Sequence, residues 1–417
     1  MLSVEEAVAR VMAQVPPGAT ERVFLAEALG RVLREEVRAA APVPRFANSA
    51  MDGYALRAAD VPGTLEVLET IAAGRVGHRV VGPGQASRIM TGAPVPEGAD
   101  AVVMVEDTRA EGDRVVVATS ARAGQHLRPA GADVREGEVV LSPGTVLGAG
   151  AIGLLATLGW PSVRVAARPR VAILSTGDEV VEPGFALGPG QIHSSNTHAL
   201  SAQVRAAGGL PVDLGTVRDD PAAIGEAFAG AASVGDLVVS TGGVSVGDFD
   251  HVKGAIGSGM DFWKVAMKPG KPLAYGRVGG KPCFGLPGNP VSCMVNFYQF
   301  VRPVLRAMMG DPSPYLPVVD AHLSRPVKRA TGRVEFLRVA LSRQDGRLVA
   351  VPVGGHQGSG NVRSMAEAHG FALLDARSAV VEGHVPVQVF DWSFEAAAAP
   401  SYRWGQGAGG EGEAGCC

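Results

Sequence analysis

Apolar runs of strand length, each closed by a turn rich in glycine and proline, mark the stretch from residue 236 to residue 292. The runs cover residues 237–240, 262–267 and 282–285, and helical patterns follow two of the closing turns. This alternation is typical of an α/β protein with a mostly parallel, doubly wound sheet, whose ligands bind beyond the carboxyl ends of the strands. The pattern therefore predicts a ligand site where these runs end.

The turns at the predicted strand ends contain groups that bind anions and metal ions. Gly242 and Gly243 follow one strand and can present backbone N–H donors to an anion. Acidic residues follow the other strands as well, and Asp220 has the pattern of a helix N-cap. Glu179 and Asp250 cap no predicted helix, so we interpret them as ligands of a metal ion or a polar substrate.

Lysine is rare in this chain and is concentrated in one place. Among 38 basic residues only six are lysines, and Lys264, Lys268 and Lys271 fall within eight consecutive positions. A compact ammonium group on a flexible stem suits contact with a phosphate or another oxyanion. A solvated strand end with lysines clustered by chance is the alternative interpretation.

Changes of pattern divide the chain into five parts. The N-terminal part begins with a helix that carries a capping box, Ser3 with Glu6, and Asn196 is the predicted N-cap of a later helix. The predicted parts are a helical segment at 1–41 completed by 137–168, a small β-rich domain at 42–136, an α/β domain at 169–311, an antiparallel barrel or sandwich at 317–392, and a low-complexity tail at 393–417.

Two glycine-rich motifs and one turn have specific interpretations. Residues 148–153 match the dinucleotide pattern G-x-G-x-x-G, but their context predicts the start of a helix. Residues 242–247 have the glycine spacing of a phosphate-binding P-loop, yet Asp248 stands where that motif requires lysine. Residues 344–346, Gln-Asp-Gly, predict a tight hairpin in the C-terminal β domain.

Composition excludes several classes of function. A net charge of −3, a pI near 6.3 and 5% aromatic residues give no footprint for nucleic acid or for an anionic membrane surface. The uncharged stretch at 139–163 is broken by glycine and proline, so no membrane span is predicted. Four cysteines without C-x-x-C spacing predict a reduced, cytoplasmic protein, and nine scattered histidines without a close pair in sequence disfavour a zinc site.

Seven short motifs occur in a fixed order and cover nearly the whole chain to about Trp392. They are Asn48-Ser-Ala-Met-Asp-Gly-Tyr54, Met90-Thr-Gly-Ala-Pro94, Ser175-Thr-Gly-Asp-Glu179, Thr241-Gly-Gly-Val-Ser-Val-Gly-Asp248, Lys268-Pro-Gly-Lys271, Gly285-Leu-Pro-Gly-Asn-Pro290 and Gly358-Ser-Gly360. Together they resemble the molybdopterin molybdenumtransferase family (MoeA), which includes the E domain of gephyrin. The resemblance implies a molybdopterin-binding α/β domain flanked by β-rich domains.

The resemblance also implies an activity and its partners. Members of this family ligate molybdate to the dithiolene of adenylylated molybdopterin in the presence of Mg²⁺, release AMP and form molybdenum cofactor. A homodimer is expected, with a site shared between subunits, and other cofactor-biosynthesis proteins and molybdoenzymes are expected partners. Two alternatives remain open, a molybdopterin adenylyltransferase and a gephyrin-like scaffold without catalysis. The additional β domains argue against the first, and the retained acids and lysines argue against the second.

Residue chemistry and the resemblance together assign the site. Family members commonly have glutamate where this chain has Ala132, and an acid where it has Ala47, so the electrostatics of these loops differ. On residues alone, Arg338 fits an ordinary surface arginine as well as a ligand-binding residue. Ser359 likewise fits a turn serine as well as a ligand-binding residue. The predicted residues are Asp52, Asp133, Asp250, Lys264 and Lys268 for catalysis, Thr91, Asp219, Gly242, Gly243, Lys271, Arg338 and Ser359 for substrate binding, and Glu179 and Asp250 for the metal.

Overall fold

The computed structural model describes residues 1–242, 251–355 and 357–397. The chain forms two compact units: the first contains Met1–Glu21 and the chain from Ala166 onward, and the second is Arg22–Val165. The five-part division made from the sequence is finer than this and stays a prediction. Among the described residues, no helix has both the length and the apolar character needed to cross a membrane.

A six-stranded sheet forms the centre of the first unit. Its first four strands pair in parallel and the last two are added antiparallel. In spatial order the strands are Leu210–Val217, Arg170–Thr176, Leu237–Thr241, Lys281–Leu286, Pro272–Val278 and Met260–Lys264. The strand order reverses between the second and third of these, which makes their carboxyl ends a topological switch point where open α/β sheets bind ligands.

Helices cover this sheet and bury its apolar side chains. Ile224 and Phe228 of one helix pack with Leu174 and Val238 of the sheet, and all four are almost completely buried. One helical segment continues from Pro290–Asn296 through a π-helical turn, Phe297–Val301, into Arg302–Met308. The remaining α-helices of the unit are Val4–Met12, Asn196–Ala206, Pro221–Val234, His251–Ile256, Arg363–Ala366 and Ser393–Ala397. Two short strands, Val180–Val181 and Ile192–His193, also pair with each other.

A closed barrel follows in the same unit. Five strands pair in a ring, because the last strand bonds back to the first. Around the ring they are Val334–Gln344, Arg347–Pro352, Val318–Leu323, His384–Val389 and Gly370–Leu374. The short strand Met267–Lys268 pairs with the first of these, and Val327–Lys328 forms a separate pair with Val380–Val381. Leu337, Val339, Ala350 and Val387 fill the interior. Of the two forms predicted for this domain, the barrel is confirmed.

The second unit is built on another six-stranded sheet and one helix, Ala149–Thr157. Tyr54, Leu65 and Val115 belong to its buried apolar core. The strands in spatial order are Ala101–Met104, Gly53–Leu56, Gln85–Ile89, Gly63–Ile71, Arg114–Val117 and Thr108–Glu111. Three short two-stranded pairs accompany this sheet: Val37–Arg38 with Val139–Leu141, Asn48–Ser49 with Leu127–Arg128, and Thr20–Phe24 with Ser162–Ala166. An α/β domain with β-rich companions is therefore confirmed.

Several local predictions are also confirmed. Ser3 and Glu6 form both hydrogen bonds of the capping box, at 2.8 and 3.1 Å. Asp220 caps the helix Pro221–Val234 by accepting a hydrogen bond from the Ala223 N–H at 2.8 Å. Residues 148–153 form the start of the helix Ala149–Thr157, as predicted. Gln344 pairs directly with Arg347 across the expected hairpin turn.

Two local predictions were wrong. The run 262–267 is not one strand, because the α/β strand ends at Lys264 and the chain then crosses to the barrel, where Met267 pairs with Val334. Asn196 is not an N-cap: Ser195 occupies that position, and Asn196 is the first residue of the helix. Its side chain bonds to other loops instead, with consequences for the site.

Candidate functional site

A cleft of about 150 Å³, here called the glycine cleft, lies at the switch point of the α/β sheet. Its walls include Thr176, Glu179, Asn196, Thr241, Gly242, Gly288 and Asn289. Gly242 has a φ of +89°, and a Cβ atom there would lie 2.4 Å from the Thr176 carbonyl oxygen. Only glycine allows this close approach. Gly242 therefore allows the ends of two neighbouring strands to pack closely at the cleft wall.

Asn196 holds two walls of the glycine cleft together. Its Nδ2 donates to Thr241 Oγ1 at 2.8 Å and to the Gly288 carbonyl at 2.9 Å. The Asn196 Oδ1 and Thr176 Oγ1 atoms are buried and have no hydrogen-bond partner in the described part of the chain. Since buried polar atoms are normally paired, the cleft retains hydrogen-bonding capacity for a polar ligand.

Carboxylates border the glycine cleft at the ends of two adjacent strands. Glu179 and Asp178 are exposed, and Asp178 Oδ1 lies 3.5 Å from the backbone N–H of Asp219 on the next loop. The Glu179 carboxylate has no hydrogen bond or ion pair to any described residue, so its oxygens are available to a hard cation. Within the described ranges, no group of three or more His, Cys, Asp or Glu is arranged to hold a metal. The predicted residues Asp250 and Gly243 lie outside those ranges.

The helix Pro290–Asn296, here called the bridging helix, links the glycine cleft to two loops that carry predicted site residues. These are the lysine loop, residues 265–271, and the serine loop, residues 354–361. At the start of the helix, the Val291 N–H donates to the Ser359 carbonyl at 3.0 Å. At its end, Asn296 Nδ2 donates to the Gly270 carbonyl at 3.2 Å. The bridging helix therefore brings together groups that are remote in sequence.

Lys268 belongs to a buried charge network on the barrel. Its Nζ lies 2.8 Å from Glu335 Oε1, while Arg329 Nε donates to Glu335 Oε2 at 3.0 Å. The side chains of Arg329 and Glu335 are 1% and 5% exposed, whereas that of Lys268 is 42% exposed. A buried ion pair therefore fixes an ammonium group that remains open to solvent and to an anion.

Of the other two predicted lysines, Lys264 directly precedes the lysine loop and Lys271 is its last residue. Lys264 ends its strand, and Lys271 is exposed. The Val265 N–H donates to the Lys271 carbonyl at 3.0 Å, which closes the lysine loop. Neither ammonium forms an ion pair with the described residues, so both charges are available for ligand binding.

Arg338 is completely buried, so of the two interpretations left open by the sequence, that of an ordinary surface arginine was wrong. Its Nη2 donates to the Gly358 carbonyl of the serine loop at 3.2 Å, but its buried Nε and Nη1 atoms have no partner among the described residues. Burial lowers the pKa of Arg338 to about 10, and the nearby Glu335 carboxylate opposes that change. Arg338 therefore stays charged at neutral pH and has donors free for an anion.

A cavity of about 310 Å³ opens beside this network. Its lining includes three cations, Lys268, Arg325 and Lys328, together with the Glu335 carboxylate and Gln357. Because Glu335 is already paired with Lys268 and Arg329, the cavity wall has an excess of positive charge. Its size and charge suit an oxyanion.

Three predicted residues belong to the second unit. Asp52 Oδ1 accepts hydrogen bonds from the backbone N–H and the hydroxyl of Thr91, at 2.6 and 2.7 Å. These bonds, the backbone one first, and the charge of Arg88 lower the pKa of Asp52. Asp133 is exposed in an open cleft of about 830 Å³ formed by residues 129–138. Asp52 and Thr91, two of the predicted site residues, are thus in direct contact.

Sequence reasoning missed three residues that organise the site. Glu335 anchors Lys268, Asn196 braces the glycine cleft, and Asn296 fixes the lysine loop. Signals for two of them were present. Glu335 and Arg338 are charged residues among the apolar positions 334–341 of their strand, and Asn296 is a polar residue in a mostly apolar helix. A charged or amide side chain at a core position indicates a specific partner.

Comparison with known proteins gives consistent matches along the chain. Family models match residues 2–159 (MoeA N-terminal region, domain I and II), 172–307 (Probable molybdopterin binding domain) and 320–391 (MoeA C-terminal region, domain IV). Molybdopterin molybdenumtransferase 2 of Mycobacterium tuberculosis is 42% identical over 385 residues, covering 89% of this chain and 94% of the relative. Molybdopterin molybdenumtransferase of Bacillus subtilis is 37% identical over 402 residues, covering 93% of both chains.

A solved structure shows the same fold. The molybdopterin biosynthesis MoeA protein of Pyrococcus horikoshii OT3 superimposes with a TM-score of 0.81 at 29% identity, covering 94% of this chain and 100% of that one. The fold and these matches define a protein of molybdenum cofactor biosynthesis. The chain belongs to the molybdopterin molybdenumtransferase (MoeA) family, and the family predicted from the seven motifs is confirmed.

Proposed function

We propose that this chain inserts molybdate into adenylylated molybdopterin, with Mg²⁺, releasing AMP and forming molybdenum cofactor. One observation supports this most directly: the bridging helix joins the glycine cleft, the lysine loop and the serine loop through direct hydrogen bonds. A substrate with a pyrophosphate and a dithiolate, reacting with a divalent oxyanion, needs several anion-binding elements side by side.

The residues of the first unit act by positioning and neutralising charge. Lys268 and Arg338 offset the repulsion between molybdate and the dithiolate, since the first is a partly exposed ammonium and the second has unpartnered N–H donors. The pyrophosphate or pterin binds in the glycine cleft, which Gly242 lines at the carboxyl end of its strand. As in phosphoryl transfer generally, pre-organised charge contributes most of the catalysis and no covalent nucleophile is required.

The acids of the site divide between substrate and metal. One oxygen of Asp52 accepts both Thr91 donors, so its second oxygen is available to N–H groups of the pterin or adenine. We assign Asp133 and Asp219 to the same kind of contact. Glu179, exposed at the glycine cleft, fits a hard cation, and Asp250 is the proposed second ligand. Bound Mg²⁺ would supply charge neutralisation at phosphate oxygens.

Glu179→Gln is expected to lower the Mg²⁺-dependent turnover at least tenfold at limiting magnesium, because an amide replaces a charged oxygen ligand with little change of shape. Thermal melting should not change, since the Glu179 carboxylate has no partner among the described residues. Rates measured across a magnesium titration test this. Glu226→Gln is the matched control, because Glu226 is an exposed glutamate on the helix Pro221–Val234 that does not line the glycine cleft, and it should retain the wild-type curve. Equal curves for Glu179→Gln and wild type would remove Glu179 from the metal site.

A comparison of two reactions tests the proposed function against adenylylation. The protein is incubated either with adenylylated molybdopterin and molybdate, or with molybdopterin and ATP, and the products are separated. We expect AMP and molybdenum cofactor in the first mixture and no reaction in the second. Adenylylated product in the second mixture would make the chain an adenylyltransferase, and no product in either would favour a binding scaffold.

We further propose that the protein is a homodimer in the cytoplasm and that it meets other cofactor-biosynthesis proteins and molybdoenzymes. Closed twofold dimers are the commonest assemblies of soluble proteins. Light scattering at micromolar concentration should give twice the mass of the 42.8 kDa chain. A fully active species with the mass of one chain would contradict the dimer.

A further inference from the structure

Two exposed histidines face each other on the outside of the barrel. His322 and His384 are direct partners in neighbouring antiparallel strands. Their ring centroids are 5.3 Å apart, with 73° between the ring planes. The sequence shows no close histidine pair because these two lie far apart along the chain, and only the strand register brings them together.

The strand register places the two histidines at a non-hydrogen-bonded position, where opposite side chains lie closer together. The Leu323 N–H donates to the Gly383 carbonyl at 2.8 Å, so the next pair, His322 with His384, is a non-hydrogen-bonded pair. In such pairs the Cα atoms are about 4.5 Å apart rather than about 5.5 Å, and the side chains are closer. Ala321, Leu323 and Val385 point into the barrel core, so the histidine rings lie on the solvent side.

The separation of the rings matches that of two imidazoles on one metal ion. A zinc–nitrogen bond of about 2.0 Å places each ring centroid about 3.2 Å from the metal, and a tetrahedral angle then separates the centroids by about 5.2 Å. The observed separation is 5.3 Å.

We propose that His322 and His384 form a surface site for a divalent transition metal ion, with Zn²⁺ as the representative ion and water as the remaining ligands. Imidazole selects Zn²⁺, Cu²⁺ or Ni²⁺ over Mg²⁺. Asp320 lies two residues before His322 on the same face of its strand, and the exposed Glu382 precedes the strand that begins at His384; both add negative charge near the pair. The described residues offer no larger metal cluster, and this site shares no residue with the proposed reaction.

Calorimetric titration of the full chain with zinc chloride tests the proposal. All proteins carry Cys416→Ser and Cys417→Ser, since thiolates would bind zinc themselves and these two cysteines lie outside the described residues. We expect one equivalent of Zn²⁺ to bind, and His322→Gln and His384→Gln each to weaken binding roughly tenfold or more, because the second imidazole binds intramolecularly. The double variant should bind zinc at least as weakly as either single variant, because neither imidazole of the pair remains.

His78→Gln is the matched control, because His78 is an exposed histidine without a histidine partner among the described residues. It should leave the zinc affinity unchanged, and millimolar Mg²⁺ should not displace the bound zinc. Wild-type zinc binding by either single variant at the pair, or an equal loss in His78→Gln, would overturn the proposal.

Discussion

Arg338→Met is expected to lower kcat/KM roughly 10²- to 10⁴-fold while the protein stays folded. The guanidinium is buried and keeps two nitrogen atoms unpartnered in the described part of the chain, which is an arrangement suited to an anion that arrives from outside. Two charge-assisted hydrogen bonds, at about 1.5–3 kcal/mol each, account for a loss of this size. Single-turnover AMP release measured across a range of molybdate concentrations gives this ratio.

The same variant should melt at the wild-type temperature or above it. A buried charge without an adequate partner costs free energy, and replacing it with an apolar side chain of similar length is often neutral or stabilising by about 1–4 kcal/mol. Arg343→Met is the matched control, since Arg343 lies in the same strand but forms only an exposed ion pair with Glu395, and it should keep full activity. If Arg338→Met unfolds, Arg338 is a structural residue and its assignment to substrate binding fails.

Lys268→Ala is expected to slow AMP release roughly thirty- to hundredfold, and Lys268→Arg is expected not to restore it. One charge-assisted contact to an oxyanion contributes about 2–3 kcal/mol. The ammonium reaches Glu335 at 2.8 Å, but the second oxygen of Glu335 is already bound to Arg329. A planar guanidinium at position 268 therefore cannot find a bidentate partner there and directs its charge elsewhere.

Glu335→Gln tests whether Lys268 must be held in position, because it removes the ion pair with Glu335 and leaves the Lys268 charge in place. The amide keeps the shape of Glu335 but no longer holds the ammonium, so KM for molybdate should rise more than kcat falls, and Glu335→Asp should recover part of the loss. Lys328→Ala, which removes a cation from the same cavity, is the control for net charge. Near-wild-type AMP release by Lys268→Arg would show that Lys268 acts only through its charge.

Much of the fold was predictable because its signals are local. Apolar runs, the capping box at Ser3 and the hairpin at residues 344–346 depend on neighbours within a few positions, and each has the expected form. The run at 262–267 failed because periodicity does not show that the chain leaves one sheet and joins another. Apolar side chains suit either destination, and the tertiary pairing decides.

The residue types of the candidate site stand out in the sequence, but the contacts between them do not. The glycines and lysines stand out by residue type, whereas Glu335 acquires its role only when Met267–Lys268 pairs beside Val334–Gln344. Asn196 follows the same rule: its sequence context predicts a cap, but its amide bonds to two loops distant in sequence. Long-range pairing, which no local pattern encodes, also explains why Arg338 is buried.

AMP release as a function of molybdate concentration tests the central claim most directly. Wild-type protein loaded with adenylylated molybdopterin and Mg²⁺ is mixed with increasing molybdate, and AMP and protein-bound molybdenum are measured in the same samples. We expect AMP release to rise with molybdate to a plateau, in proportion to the molybdenum incorporated, and to need no ATP. AMP release that does not depend on molybdate, or molybdenum incorporation without AMP release, would contradict the proposed function.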